Sequence, residues 1–120
     1  MVRFEAVTEY VDTHIDLDLR EGAVAQLEEA RAAGVGAWVI PGVSPARWPE
    51  LMATAAGHAG VYAAPGIHPQ AAGNYQDLHL DRLRCLLEDP KTVALGEVGL
   101  DRQAGSGWQN QEETFIHMIR

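Results

Sequence analysis

The sequence predicts an α/β chain of four consecutive βα units around a parallel sheet. Three observations carry this. Four times, a short apolar run is followed by a turn and then by a helical pattern. The runs begin near Tyr10, Gly36, Val61 and Thr92, roughly 25–31 residues apart, which is the length of a strand plus a right-handed crossover helix. They are rich in Val and Ala with little alternation, as strands covered on both faces are.

Tyr10-Val11-Asp12-Thr13 is the first strand, and Glu21 to Ala33 the first helix, with Ala23, Leu27, Ala30 and Val24 facing the core and Gly34 as the stop. Gly36 to Ile40 is the second strand, broken by Pro41-Gly42. Ser44-Pro45 then supplies a cap and a first-turn proline for a helix reaching about Ala56. Val61 to Ala64 is the third strand, leading to Ile67-His68-Pro69 and a helix from about Leu80 to Glu88 with Leu80, Leu83, Leu86 and Leu87 on one side. Thr92 to Gly96 is the fourth strand. A Gly-rich loop to Gly107 follows, then a helix from Trp108 to Arg120 with Phe115, Ile116 and Ile119 as its apolar stripe.

At 120 residues the chain has the size of one domain, residues 1–120, able to bury roughly 65% of its unfolded surface. Nine Lys+Arg against seventeen Asp+Glu give a net charge of −8, with Lys91 the only lysine. A broad basic footprint for duplex DNA is excluded. A nucleic acid reaching a local site would need a metal ion to offset the carboxylates there. One cysteine, Cys85, forms no internal disulfide. No apolar stretch approaches the ~20 residues that span a bilayer, and no signal pattern opens the chain. A cytoplasmic location and no membrane partner are therefore expected.

Functional residues in parallel βα folds gather at the C-terminal ends of the strands. The unusual polar residues of this sequence fall there: His14 and Asp16 after the first strand, His68 after the third, and Glu97 and Asp101 after the fourth. Residues i and i+2 of an extended segment point the same way, so His14 and Asp16 can face one ion together. Glu97 interrupts an apolar run, where an unpaired carboxylate is costly. A divalent cation satisfies it economically.

His14-Ile15-Asp16-Leu17-Asp18, Gly66-Ile67-His68-Pro69 and Gly96-Glu97-Val98-Gly99-Leu100-Asp101, followed by Trp108 and Gln111, resemble the TatD-type metal-dependent deoxyribonucleases, which are amidohydrolase-like TIM barrels. The resemblance runs from about Val11 to Phe115 with the motifs in family order. It implies phosphodiester hydrolysis by a metal-activated water, on a DNA end or single strand. It makes His14 the first metal ligand and Glu97 the carboxylate that bridges metals. His68 is placed at the substrate phosphate or beside the metal, and Asp101 is a catalytic neighbour that orders contacts or water. Asp16 stands where the family has a second histidine. As a shorter, harder oxygen ligand it favours Mg²⁺ or Mn²⁺, with Zn²⁺ still compatible. Gln70 stands where many members have another histidine, so that role is not carried over.

Other residues read structurally. Asp12 supports the first strand end or the site, and Asp18 is a turn residue. His58, His79 and His117 lie in or beside helices, and Cys85 packs as a small hydrophobe. Trp38, Trp48 and Trp108 pack helices on the sheet, while Glu28-Glu29 and Gln111-Glu112-Glu113 are exposed helix faces.

A TIM barrel has eight βα units and ~250 residues, so this chain matches its N-terminal half, a (βα)4 piece. His14, Asp16 and Glu97 supply one site and leave the family's later ligands unfilled. Three readings are compatible with that: part of a longer hydrolase whose C-terminal half completes the barrel, a half barrel closed by a second copy, or a catalytically silent binding module. A related hydrolase acting on an amide, lactone or phosphomonoester would use the same fold and ligands.

Overall fold

The structure is a computed structural model that describes residues 9–17 and 22–120. Asp18 and Glu21 lie outside the described residues, so their expected turn and helix-start roles have no structural counterpart here. Three parallel strands form the sheet: β1 (Tyr10–Asp12), β2 (Val35–Pro41) and β3 (Val61–Ala64), in the spatial order β1-β2-β3. Their register pairs Asp12 with Trp38, and Trp38 in turn with Val61. Helices α1 (Ala23–Ala32), α2 (Trp48–Gly57), α3 (Asp77–Leu87) and α4 (Trp108–Ile119) complete the chain.

The fourth run departs from expectation. Thr92 makes a single parallel bridge to Ala63, through Ala63 N donating to Lys91 O and Val93 N donating to Ala63 O. Beyond it the chain stays beside β3, and Gly96 N reaches Pro65 O. Among the described residues no strand flanks its outer side, and Val93 is half exposed. With one neighbour instead of two, the run pairs at a point and then turns towards β2. β1 departs likewise: Tyr10 and Val11 are exposed, so the expected burial on both faces holds for β3 and not for this edge strand.

Two packed groups hold the elements together. Leu17, Leu27, Trp38, Ile40, Leu51, Ala55, Val61 and Ala63 join the sheet to α1 and α2. Trp48, Ile67, Leu83 and Met118 join α2, α3 and α4 behind the loop that follows β3. Each fully buried aliphatic side chain contributes about 1.5–3 kcal/mol. On α1, Leu27 is buried and Val24 exposed, so the core face is narrower than the sequence pattern.

Several boundaries and faces differ for identifiable reasons. Ser44 makes no side-chain cap. A 3-10 turn over Pro45–Arg47 comes first, and α2 begins at Trp48. α3 begins at Asp77, one turn ahead of Leu80, because Gln76 and His79 form a reciprocal capping box. Leu83 takes its inward position, and Cys85, some 200° around the helix, is exposed rather than packed in a core. α4 turns a different face inward from the one expected. Gln111, Thr114 and Met118 are buried, while Ile116 and Ile119 are exposed. Hydrogen bonds set this azimuth: the Gln111 amide grips the Asp101 backbone, and Thr114 Oγ1 donates to Ala72 O. Gln111 is thus buried, not part of an exposed acidic face. Trp38 and Trp48 do pack in the interior, but Trp108 lies on the surface, its Nε1 donating to Glu112 Oε1 and its ring under the Arg102 guanidinium.

Candidate functional site

The site forms where the C-terminal ends of the strands are tied together by backbone hydrogen bonds. Ile15 N donates to Val39 O at 3.1 Å, which folds the His14-Ile15-Asp16 segment over β2. Asp12 Oδ1 accepts from His14 N at 3.1 Å and steadies the same turn. His68 N donates to Val43 O at 2.8 Å, joining the loops that follow β2 and β3. Trp48, fully buried, donates its indole Nε1–H to Gly66 O at 3.0 Å. Glu97 N donates to Gly42 O at 2.7 Å.

These ties bring together residues from three distant stretches of sequence. His14 Nε2 lies 3.3 Å from Glu97 Oε1 and 4.0 Å from Asp16 Oδ1. One ligand atom from each of His14, Asp16 and Glu97 lies within 4.8 Å of the others. His68 Nε2 approaches the other Glu97 oxygen, Oε2, at 3.4 Å. Glu97 is therefore central, with an imidazole against each carboxylate oxygen. It is also the least exposed, at 25% against 88% for Asp16. The cavity above holds about 570 Å³ and is lined by Thr13, His14, Val39, Pro41, Ala64, His68, Gly96, Glu97, Leu100 and Asp101, among others.

His68 Nδ1 accepts a hydrogen bond from Gln70 N at 3.0 Å. A neutral imidazole that accepts at one nitrogen carries its proton on the other, so His68 presents an Nε2–H to Glu97. A protonated nitrogen has no lone pair for a cation and suits an anionic oxygen. His14 has no such tie at Nδ1 among the described residues; its Nε2 faces Glu97 Oε1 at 3.3 Å, so it serves a cation as a lone-pair donor in the tautomer protonated at Nδ1.

Asp101 sits on the cavity rim but is not drawn into the cluster around Glu97. Its Oδ1 accepts from Gln103 N, and its backbone is held on both sides by Gln111: Asp101 N donates to Gln111 Oε1 at 2.8 Å, and Gln111 Nε2 donates to Asp101 O at 3.0 Å. Gln111 is a residue that sequence reasoning misread. The signal was present in the pattern 111, 114, 118, a helical face of mixed polarity ending in Met118. His58, His79 and His117 lie away from the site, as expected. His58 Nδ1 bonds Thr54 O, His79 caps α3, and His117 stacks on Tyr75.

Comparison with known proteins identifies the family. The sequence model of the family described as TatD related DNase matches residues 11–120. The chain belongs to this family. It is 33% identical over 100 residues to the metal-dependent hydrolase YjjV of Escherichia coli K12, covering 79% of this chain and 39% of YjjV. It is 36% identical over 95 residues to the 3'-5' ssDNA/RNA exonuclease TatD of Cronobacter turicensis, covering 78% of this chain and 36% of that protein. The crystal structure of YjjV, a TatD homologue, superposes with a TM-score of 0.80 at 28% identity, over 92% of this chain and 45% of that one. The chain thus spans less than half the length of these relatives, and its parallel α/β fold is part of a TIM barrel. Among the described residues, no helix is long and apolar enough to cross a membrane.

Proposed function

We propose that this chain carries a divalent-cation site of a phosphodiester hydrolase, with His14, Asp16 and Glu97 as ligands. The observation that supports it is the convergence of one imidazole and two carboxylates within 4.8 Å at the strand ends, around a half-buried Glu97. The donor set fits such an ion. Two carboxylates and one neutral imidazole leave net negative charge for a 2+ cation, and oxygen donors in the majority favour Mg²⁺ or Mn²⁺ over Zn²⁺.

When bound, the cation supplies positive charge against the phosphodiester and acidifies a water. The remaining chemistry belongs to the chain. Glu97 orients both imidazoles at once, so His14 and His68 share one rigid reference point. The single His68 Nε2–H, fixed by the Gln70 tie, faces Glu97 in the free site and becomes available to a phosphate oxygen once the Glu97 carboxylate is engaged by the cation. Asp101, held by Gln111, stands at the rim as an acceptor for water or for a substrate hydroxyl. The substrate is a DNA end or single strand: the −8 charge disfavours wrapping a duplex, and the relative from Cronobacter is named for single-stranded DNA and RNA. Such an enzyme works in the cytoplasm. β1, paired with β2 alone among the described residues, supports barrel completion by further strands, from a C-terminal half or a second copy.

Hydrolysis of a 3'-labelled single-stranded oligonucleotide with added Mn²⁺ tests the proposal. Activity that disappears on chelation and on Glu97→Gln is expected. A folded protein without Mn²⁺-dependent cleavage in any oligomeric state would overturn it in favour of a silent binding module.

A further inference from the structure

We propose that Gly42 is a positioning residue for Glu97, acting entirely through its backbone. Gly42 is buried directly after β2, and three hydrogen bonds converge on it. Its N–H points at both Ala64 O (2.7 Å) and Gly96 O (2.9 Å), and its carbonyl accepts from Glu97 N at 2.7 Å. The peptide unit entering Glu97 is thus held at both its C=O and its N–H by one residue of a neighbouring element.

The grip requires glycine. A Cβ on Gly42 would meet Gly66 N at 2.9 Å, Pro65 Cα at 3.0 Å and Leu51 Cδ2 at 3.3 Å. The first two are backbone atoms that have no rotamer to escape into. The next layer is equally tight, because a Cβ on Gly66 would meet Glu97 O and Gly96 C at 2.5 Å. Gly42, Gly66 and the Gly96-Glu97 peptide therefore stack backbone on backbone, and displacement of the first is passed to the last. Glu97 touches His14 and His68 through opposite carboxylate oxygens, so movement of its main chain opens both contacts together.

The consequence for cation binding rests on the proposed metal site, whereas the geometric claim does not. The test compares the wild-type chain, Gly42→Ala and the core control Ile40→Val. Metal-free crystal structures give the His14–Glu97 and His68–Glu97 separations, and Mn²⁺ titration followed by electron paramagnetic resonance gives affinity. Gly42→Ala is expected to lengthen both separations and weaken Mn²⁺ binding about tenfold to a hundredfold, as loss of support behind a ligand does. Ile40→Val lowers stability and leaves both readouts unchanged. Should Gly42→Ala fail to fold, replacing the Gly42 amide by an ester removes its N–H without adding an atom, and the same displacement is expected. Unchanged separations in a folded variant overturn the positioning role. Absence of Mn²⁺ binding in the wild type overturns the metal site alone, and the separations still decide the role of Gly42.

Discussion

Replacement of Gln111 by leucine removes a buried side chain that holds the backbone of Asp101 on both sides. The amide is buried and makes two hydrogen bonds of normal length to a single residue, one accepted from Asp101 N and one donated to Asp101 O. A neutral hydrogen bond contributes about 0.5–1.5 kcal/mol net, so two give about 1–3 kcal/mol. Asp101 is exposed, and water recovers part of this, which leaves about 1–2 kcal/mol. At roughly 4 °C per kcal/mol for a chain of this size, Tm falls by about 4–8 °C. Urea unfolding followed by circular dichroism measures the change, with the m-value unchanged because the fold and its buried area are kept. Gln111→Glu sharpens the test. Its carboxylate retains the acceptor for Asp101 N but places an oxygen against Asp101 O, so the variant is least stable at neutral pH. It recovers relative to wild type as acid protonates the side chain and restores a donor. A Gln111→Leu protein within about 0.3 kcal/mol of wild type would show that neither bond contributes, since that is less than the net worth of one such bond.

Three further outcomes follow from the same geometry. Trp48→Phe keeps most of the buried ring but orphans Gly66 O, and is expected to cost about 1–3 kcal/mol in chemical unfolding. Burial holds the His79 imidazole below its usual pKa, with the Arg82 guanidinium adding to the effect. The unfolded chain then takes up a proton first, so His79 stabilises above pH ~6.5, and that contribution is lost as pH falls through and below this value. The urea midpoint of wild type should drop more between pH 7.5 and 5.5 than that of His79→Gln. Asp16→His replaces a hard oxygen donor by imidazole and should raise the preference for Zn²⁺ over Mg²⁺ in competitive titration.

Legibility of the sequence followed the physics of each feature. The third strand and the last helix lie within a residue of expectation, since a short apolar run between turns and a capped helical period are local properties. The fourth run was not legible as a single bridge, because pairing belongs to neighbours as much as to the residues themselves, and among the described residues Thr92 has one on its inner side only. The inward face of α4 was misread for a related reason. Hydropathy favours Ile116 and Ile119, yet the buried bonds of Gln111 and Thr114 decide the rotation. Cys85 was assigned to the core by its leucine neighbours, although the helical period carries it outward from Leu83.

The residues of the candidate site stood out because they fall at the ends of apolar runs, and Glu97 interrupts one, where an unpaired carboxylate is costly. The structure brings His14, Asp16, His68 and Glu97 together from such ends, while Asp101 stays on the rim. What the sequence hid was the support. The crossing at Gly42 is made of backbone atoms and leaves no periodic trace, and the Nε2–H form of His68 depends on a bond from Gln70 that no motif records.

Diffraction from crystals soaked in Mn²⁺, with anomalous scattering collected at the manganese edge, tests the cation site most directly. One anomalous peak coordinated by His14 Nε2, Asp16 and Glu97 is expected, with His68 outside the coordination sphere, and with loss of that peak in Glu97→Gln. No peak at this position in the wild-type chain, or an undiminished one in Glu97→Gln, would contradict it.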